Sequence, residues 1–151
     1  MSFLGDAVEV SGNEITVTGG TIEEGVYGGL AQLGGNASGN TVTISGGTIN
    51  KYVYGGSADS GTASNNTVNI YGGTFKSDTR LYGGFSDDSS GNTLNFYTKG
   101  ITVDKLGYFQ NLSFYVPEDT TAGETILTVT STADVSGASI RASVYDSMKM
   151  S

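Results

Sequence analysis

Ser38-Gly39-Asn40-Thr41-Val42-Thr43-Ile44-Ser45-Gly46-Gly47-Thr48-Ile49 is one copy of a unit that returns along residues 11–101 of the chain. Ser11-Gly12-Asn13-Glu14-Ile15-Thr16-Val17-Thr18-Gly19-Gly20-Thr21-Ile22 precedes it, and Asn65-Asn66-Thr67-Val68-Asn69-Ile70-Tyr71-Gly72-Gly73-Thr74-Phe75 follows. A decayed fourth copy runs from Gly91-Asn92-Thr93-Leu94-Asn95-Phe96 to Gly100-Ile101. The marker asparagines Asn13, Asn40, Asn66 and Asn92 are spaced by 27, 26 and 26 residues. A fixed period of this size with strand-like content specifies a stacked array, in which each unit buries its apolar side only against its neighbours.

Within the unit, Asn40, Val42 and Ile44 share one parity, and Thr41, Thr43 and Ser45 share the other. Strict alternation is the pattern of a half-buried strand. Ile15/Val17, Val68/Ile70 and Leu94/Phe96 repeat it, with the β-branched and aromatic residues that a pleated surface prefers. The Gly-Gly pairs at 19–20, 46–47 and 72–73 predict corners that need positive φ. A second buried position is expected at Ile22, Ile49, Phe75 and Ile101. Val26-Tyr27-Gly28-Gly29, Val53-Tyr54-Gly55-Gly56 and Leu81-Tyr82-Gly83-Gly84 then predict a second short strand, ended by its glycines. The remainder of each copy reads as a polar loop.

A meander would pair neighbouring strands antiparallel. Equivalent strands one long period apart instead pair in parallel, like residue over like. The expected fold is therefore all-β: a single-stranded parallel β-helix, or β-solenoid, of stacked 26–27-residue rungs with a C-terminal β cap. Each rung adds about 4.8 Å, so four rungs make a rod of about 20 Å. The longer interval from Phe75 to Tyr82 places its extra residues in the polar run Lys76–Arg80, a bulge at a corner.

Beyond about residue 100 the period fades. Leu112/Phe114/Val116, Ile126–Val129 and Ile140/Ala142/Val144 predict further strands, with a turn at Pro117–Gly123. The chain divides into a repeat region, 1–107, and a segment 108–151 that continues or closes the array. Ala7-Val8-Glu9-Val10 reads as a partial first rung.

Composition narrows the function. The 151 residues include 24 Gly, 1 Pro, no His and no Cys, with a formal net charge of −8. Excess Gly without Pro or a three-residue period is not collagen. The acidic balance argues against nucleic acid and anionic membrane surfaces as partners. Absence of His and Cys removes zinc, haem and thiol chemistry and any Ser–His or Cys–His nucleophile pair. No cofactor and no metal site is expected. Met1–Ala7 lacks the basic and apolar regions of a signal peptide, so the chain reads as a cut-out segment or mature form.

The string Gly39–Ile49 followed by Val53-Tyr54-Gly55-Gly56 resembles the repeats of bacterial autotransporter-type adhesin passengers. Phe109–Pro117, Thr121–Val129 and Ala133–Ser136 are similar to the passenger segment that precedes the outer-membrane barrel in such proteins. The resemblance implies a parallel β-helix on a bacterial surface, acting in adhesion or as a stalk. It implies partners that are proteins or glycans on host or neighbouring bacterial surfaces, and no fixed catalytic residues. Signal peptide and barrel are not in this chain, and this segment is not expected to enter a membrane.

Candidate sites follow from the columns. Asn13, Asn40, Asn66 and Asn92 share the core parity and are expected to form an internal amide ladder. Asn36-Ala-Ser38, Asn65-Asn-Thr67 and Asn111-Leu-Ser113 match the glycosylation sequon, a minor alternative. Tyr27, Tyr54 and Tyr82 form a second column, a packing stack or a sugar-binding platform. Outward threonines such as Thr16/Thr43 resemble an ice-binding array, but Glu14, Asn69, Asn95, Tyr71 and Tyr97 interrupt it. Asp59, Asp87 and Asp88 lie in loops without a calcium-loop pattern.

A polysaccharide-cleaving enzyme would need convergent acids. Glu23, Glu24 and Asp87 are the residues whose loss would test that, but Glu23-Glu24 is replaced by Asn50-Lys51 one repeat later. The sequence therefore favours a non-catalytic surface module. A fibre subunit stacking end to end is the alternative, which the few charges near Phe3/Leu4 also suit.

Overall fold

The structure, a computed structural model, describes residues 9–145. The chain coils through about five turns. The first contains β1 (Glu9–Ser11), β2 (Glu14–Val17), β3 (Thr21–Ile22), β4 (Gly25–Tyr27) and β5 (Leu30–Ala31). The second contains β6 (Asn36–Ser38), β7 (Thr41–Ile44), β8 (Thr48–Ile49) and β9 (Tyr52–Ala58). The third contains β10 (Thr62–Ser64), β11 (Thr67–Ile70), β12 (Thr74–Phe75) and β13 (Arg80–Phe85). β14 (Asp88–Ser90), β15 (Thr93–Phe96) and β16 (Ile101–Gly107) make the fourth, and β17 (Asn111–Pro117), β18 (Leu127–Ala133) and β19 (Ser139–Tyr145) complete the stack.

All pairings are parallel, and equivalent residues lie above one another. The long face runs β2-β7-β11-β15-β17-β19, with Val42 paired to Ile15 and Val68, and Leu94 to Val68 and Leu112. A tyrosine face runs β4-β9-β13-β16-β18, and short corner strands run β3-β8-β12. This is the β-solenoid expected from the period. The C-terminal strands continue the stack: β17 pairs with β19 from Asn111↔Ser139 to Pro117↔Tyr145.

The core is a seam of columns. Val42, Val68 and Leu94 are fully buried beside Ile44, Ile70 and Phe96, and they meet Ile49, Val53 and Leu81 from the other faces. Each such side chain contributes about 1.5–3 kcal/mol on burial. The seam thins toward both ends of the described chain. Ile15 and Ile22 are half-buried, and Ile140 and Val144 are 56% and 73% exposed.

Three local features differ from the sequence reading. First, the stretch read as a polar loop contains a fourth face, β1-β6-β10-β14. Its inward residues Ala37 and Ala63 pack with Ala31 of β5 and Ala58 of β9 as a small core of their own. Alanine carries little hydrophobic signal and the strands have three residues, so alternation does not reveal them. Second, the glycines of the Val-Tyr-Gly-Gly motif do not end a strand in the second and third turns. β9 and β13 run straight through them. Third, only the second glycine of each corner pair takes positive φ, as at Gly20 (φ 77°).

The reason for the internal glycines is a close approach to the amide ladder. A Cβ on Gly56 would lie 2.6 Å from Asn66 Nδ2, and one on Gly84 would lie 2.4 Å from Asn92 Nδ2. Gly56→Ala is therefore expected to lower stability by about 1–3 kcal/mol through overpacking. Gly20→Ala, where no atom lies within 4 Å, carries only the left-handed backbone cost of about 1–2 kcal/mol. Urea denaturation of the two variants checks the order. Equal midpoints would mean that the glycines are needed only for backbone freedom.

The extra residues at Lys76–Arg80 form a turn, with Thr79 N–H donating to Lys76 O at 3.0 Å. The Thr79 side chain folds inward and donates to Ile49 O at 3.3 Å. Of the expected partial first rung, Glu9 and Val10 belong to β1. Residues 1–8 and 146–151, including Phe3 and Leu4, lie outside the described residues.

Candidate functional site

Asn40, Asn66 and Asn92 are fully buried, and each is held in the same way. Asn40 donates from its backbone N–H and its Nδ2 to Asn66 Oδ1, both at 3.0 Å. Asn66 does the same to Asn92 Oδ1, at 3.0 Å each. The second Nδ2 hydrogen of each reaches a carbonyl of the alanine face, at Val10, Ala37 and Ala63 respectively. Asn13 donates to Asn40 Oδ1 at 2.9 Å but lies exposed at the first turn. The ladder thus ties the long face to the alanine face at every turn, and satisfies backbone groups that the corner would leave orphaned.

One member of the ladder escapes the sequence period. Asn92 donates to Gln110 Oε1 from its N–H at 2.8 Å and its Nδ2 at 3.0 Å, only 18 residues away. The fourth turn is short because the chain leaves β16 through Tyr108, at φ 60°, and omits the alanine face. Gln110 Nε2 donates to Ser89 Oγ at 3.2 Å, so its longer side chain covers the last alanine-face strand. Reading Gln110-Asn111-Leu112-Ser113-Phe114 against Asn92-Thr93-Leu94-Asn95-Phe96 was the available signal. A constant-period scan passes over it.

On the tyrosine face, Tyr27, Tyr54 and Tyr82 occupy one register column. Tyr54 stacks on Tyr82 with centroids 5.2 Å apart and planes at 11°, and meets Tyr27 edge-on at 5.3 Å. Tyr52 lies 5.2 Å from Tyr54, and Phe85 and Tyr108 join at the Tyr82 end. Six rings thereby form one outward belt. Tyr54 is buried in its middle, and Tyr27 and Tyr82 are half-buried. A second, separate ladder stacks Tyr71, Tyr97 and Tyr115 on the long face at 4.3 and 4.6 Å. Beside it Asn95 Nδ2 donates to Asn69 Oδ1 at 2.9 Å, and Asn69 Nδ2 to Thr43 Oγ1 at 3.3 Å.

Burial raises the Tyr27, Tyr54 and Tyr82 phenols above their ordinary value, although the Arg80 guanidinium beside the Tyr54 hydroxyl pulls the other way. The folded rod therefore holds these protons when the unfolded chain, titrating at about pH 10, has begun to release them. Stability from the belt is complete below that pH and is lost as the pH rises through the raised values. Tyrosinate absorbance followed together with circular dichroism should show the Tyr27, Tyr54 and Tyr82 share of the ionisation lagging until the sheet signal falls. Simple ionisation of all tyrosines with the sheet intact would contradict this.

Glu23 and Glu24 do not meet Asp87. Glu24 pairs with Lys51 at 3.2 Å and Glu23 accepts from Asn50 Nδ2 at 2.8 Å, each across to the next turn. These residues line a shallow depression with Lys76 and Asp78, whereas Asp87 and Asp59 line a different hollow. Asp88 accepts from Thr62 Oγ1 at 3.0 Å. Among the described residues, no three or more Asp and Glu are grouped to hold a metal ion. Of the sequons, Asn36 Oδ1 accepts from Thr62 N–H at 2.8 Å, Asn65 sits in a turn at φ 55°, and Asn111 is exposed at the start of β17.

Comparison with protein-family models, curated proteins and solved structures finds no match to this chain. The class that the fold defines is a parallel β-solenoid.

Proposed function

We propose that the chain is a non-catalytic segment of a bacterial surface adhesin or stalk, working outside the cell and presenting its faces to proteins or glycans on host or neighbouring bacterial cells. The observation that carries this reading is the aromatic belt on the tyrosine face. Rings gathered on the outside of a rod, rather than in its core, suit contact with a partner, and aromatic side chains dominate such contacts. The parallel stack suits the mechanical part, because every turn is hydrogen-bonded to the next through backbone and ladder alike. The net charge of −8 suits a soluble exposed object rather than one bound to nucleic acid or inserted in lipid.

The test is attachment. Beads coated with the protein should bind cultured epithelial cells or bacterial cells saturably, and soluble protein should compete. Binding no better than that of beads carrying an unrelated acidic β-solenoid would reject the adhesin reading.

A second reading is favoured by the thinning ends of the core. Ile140 and Val144 lie in register with Leu112 and Val116 on β19, the last strand of the long face among the described residues, and both are exposed. Another copy could continue the stack there, building a fibre. Sedimentation velocity over a range of concentrations separates the two, since a single rod-sized species throughout rejects the fibre.

A further inference from the structure

Tyr108 is, among the described residues, the single aromatic side chain on a left-handed backbone, at φ 60°. A ring there carries a steric cost that glycine would not. Its side chain does not recover this in the core, since Tyr108 remains 37% exposed. Strained, exposed residues of this kind are found where a side chain must be aimed. Tyr108 is aimed along the rod, edge-on to Tyr82 at 4.9 Å and to Phe85 at 5.2 Å.

It lines two hollows. One, of about 370 Å³, is lined by Tyr82, Tyr108, Lys105, Gln110 and Asp134. The other, of about 340 Å³, is lined by Phe85, Tyr108, Asp59 and Asp87. The first exists because the tyrosine column skips a step. Tyr27, Tyr54 and Tyr82 are followed in register by Gly107, whose missing side chain would begin 3.7 Å from the Tyr82 ring. Tyr54 stacks on Tyr82, Phe85 and Tyr108 flank it at 5.4 and 4.9 Å, and Tyr82 and Gly107 together line the hollow.

We infer that the two hollows are adjoining subsites of one groove that binds a neutral oligosaccharide, with Tyr108 between consecutive sugar units. This rests on the adhesin reading and names its ligand. A pyranose presents a flat C–H face and a rim of hydroxyls. Aromatic rings take the face, and a few convergent polar groups orient the rim. The groove has both kinds of partner. Tyr82, Tyr108 and Phe85 supply rings, while Asp59, Asp87 and Asp134 supply acceptors for hydroxyl pairs. Asp134 already accepts from Ser136 N–H at 3.1 Å, which orients it and leaves lone pairs for a ligand. Three carboxylates against Lys105, on a chain of net charge −8, disfavour sialylated or uronic-acid glycans.

The probes are neutral tetra- to hexasaccharides of glucose, mannose, galactose and N-acetylglucosamine, titrated by calorimetry and by the shifts of aromatic ring resonances. At least one should bind, with the Tyr108 and Phe85 rings among those perturbed. Tyr108→Gly suits the backbone and removes the ring, so it should weaken binding at least about tenfold while leaving the melting temperature unchanged or raised. If that variant loses its structure, Asp87→Asn with Asp134→Asn, both exposed positions, should weaken binding several-fold. Tyr71→Ala, in the separate tyrosine ladder of the long face, should not weaken it. Binding by none of the neutral sugars, binding by anionic glycans alone, or binding indifferent to Tyr108→Gly would overturn the inference. The adhesin reading is judged separately: cell attachment that survives Tyr108→Gly and excess free oligosaccharide sinks the groove and spares the adhesin, whereas no attachment sinks the adhesin.

Discussion

Ile44→Asp is expected to leave no cooperatively folded rod. Ile44 is fully buried on the long face, between Val17 and Ile70 in register. Removing its side chain alone would cost about 2–5 kcal/mol. A carboxylate in its place has no cation within the seam, so it either carries a desolvation penalty of several kcal/mol or takes up a proton. The sum rivals the whole stability of a typical domain, about 5–15 kcal/mol. Its sequence neighbour Thr43 faces outward, in a column that already holds Asn69 and Asn95. Thr43→Asn should change stability by less than about 1 kcal/mol, since it can extend the outer amide ladder. Far-UV circular dichroism and urea denaturation read both. A normal unfolding midpoint for Ile44→Asp would mean that the inward assignment is wrong.

Asn66→Ala is the second large effect. The Asn66 side chain makes four hydrogen bonds: two donated, to Ala37 O and Asn92 Oδ1, and two accepted, from Asn40 N–H and Nδ2. Its loss leaves a buried backbone N–H and a buried carbonyl without those partners, each costing about 1–3 kcal/mol. A further cost comes from breaking the chain of mutually polarised amides. The expected loss is about 3–6 kcal/mol. Asn13→Ala removes the same residue type from the exposed end of the ladder, where water can take its place, and should cost less than about 1 kcal/mol. The contrast matters more than either value. Equal losses would show that the asparagines act through local turn preference rather than through the ladder.

The four repeat units were legible because their chemistry is redundant. Val42, Val68 and Leu94 alternate with polar residues at one spacing, and a single reading explains all of them. The inward amide column was legible by parity alone. The alanine face was not, because Ala37 and Ala63 bury too little surface to mark a strand. The shortened fourth turn was not, because Gln110 replaces Asn and arrives 18 residues after Asn92. The aromatic belt was seen only in part: Tyr27, Tyr54 and Tyr82 share a repeat position, whereas Tyr52, Phe85 and Tyr108 come from positions with no common register.

The amino-acid order by itself determined the repeating strand, its inward residues and the parallel stacking, since period and parity are properties of a one-dimensional string. Only the tertiary structure decided where the coil tightens and which rings meet outside it. Those depend on a single left-handed residue at Tyr108 and on the absent side chain of Gly107, and a backbone angle or an empty space leaves no pattern along the chain.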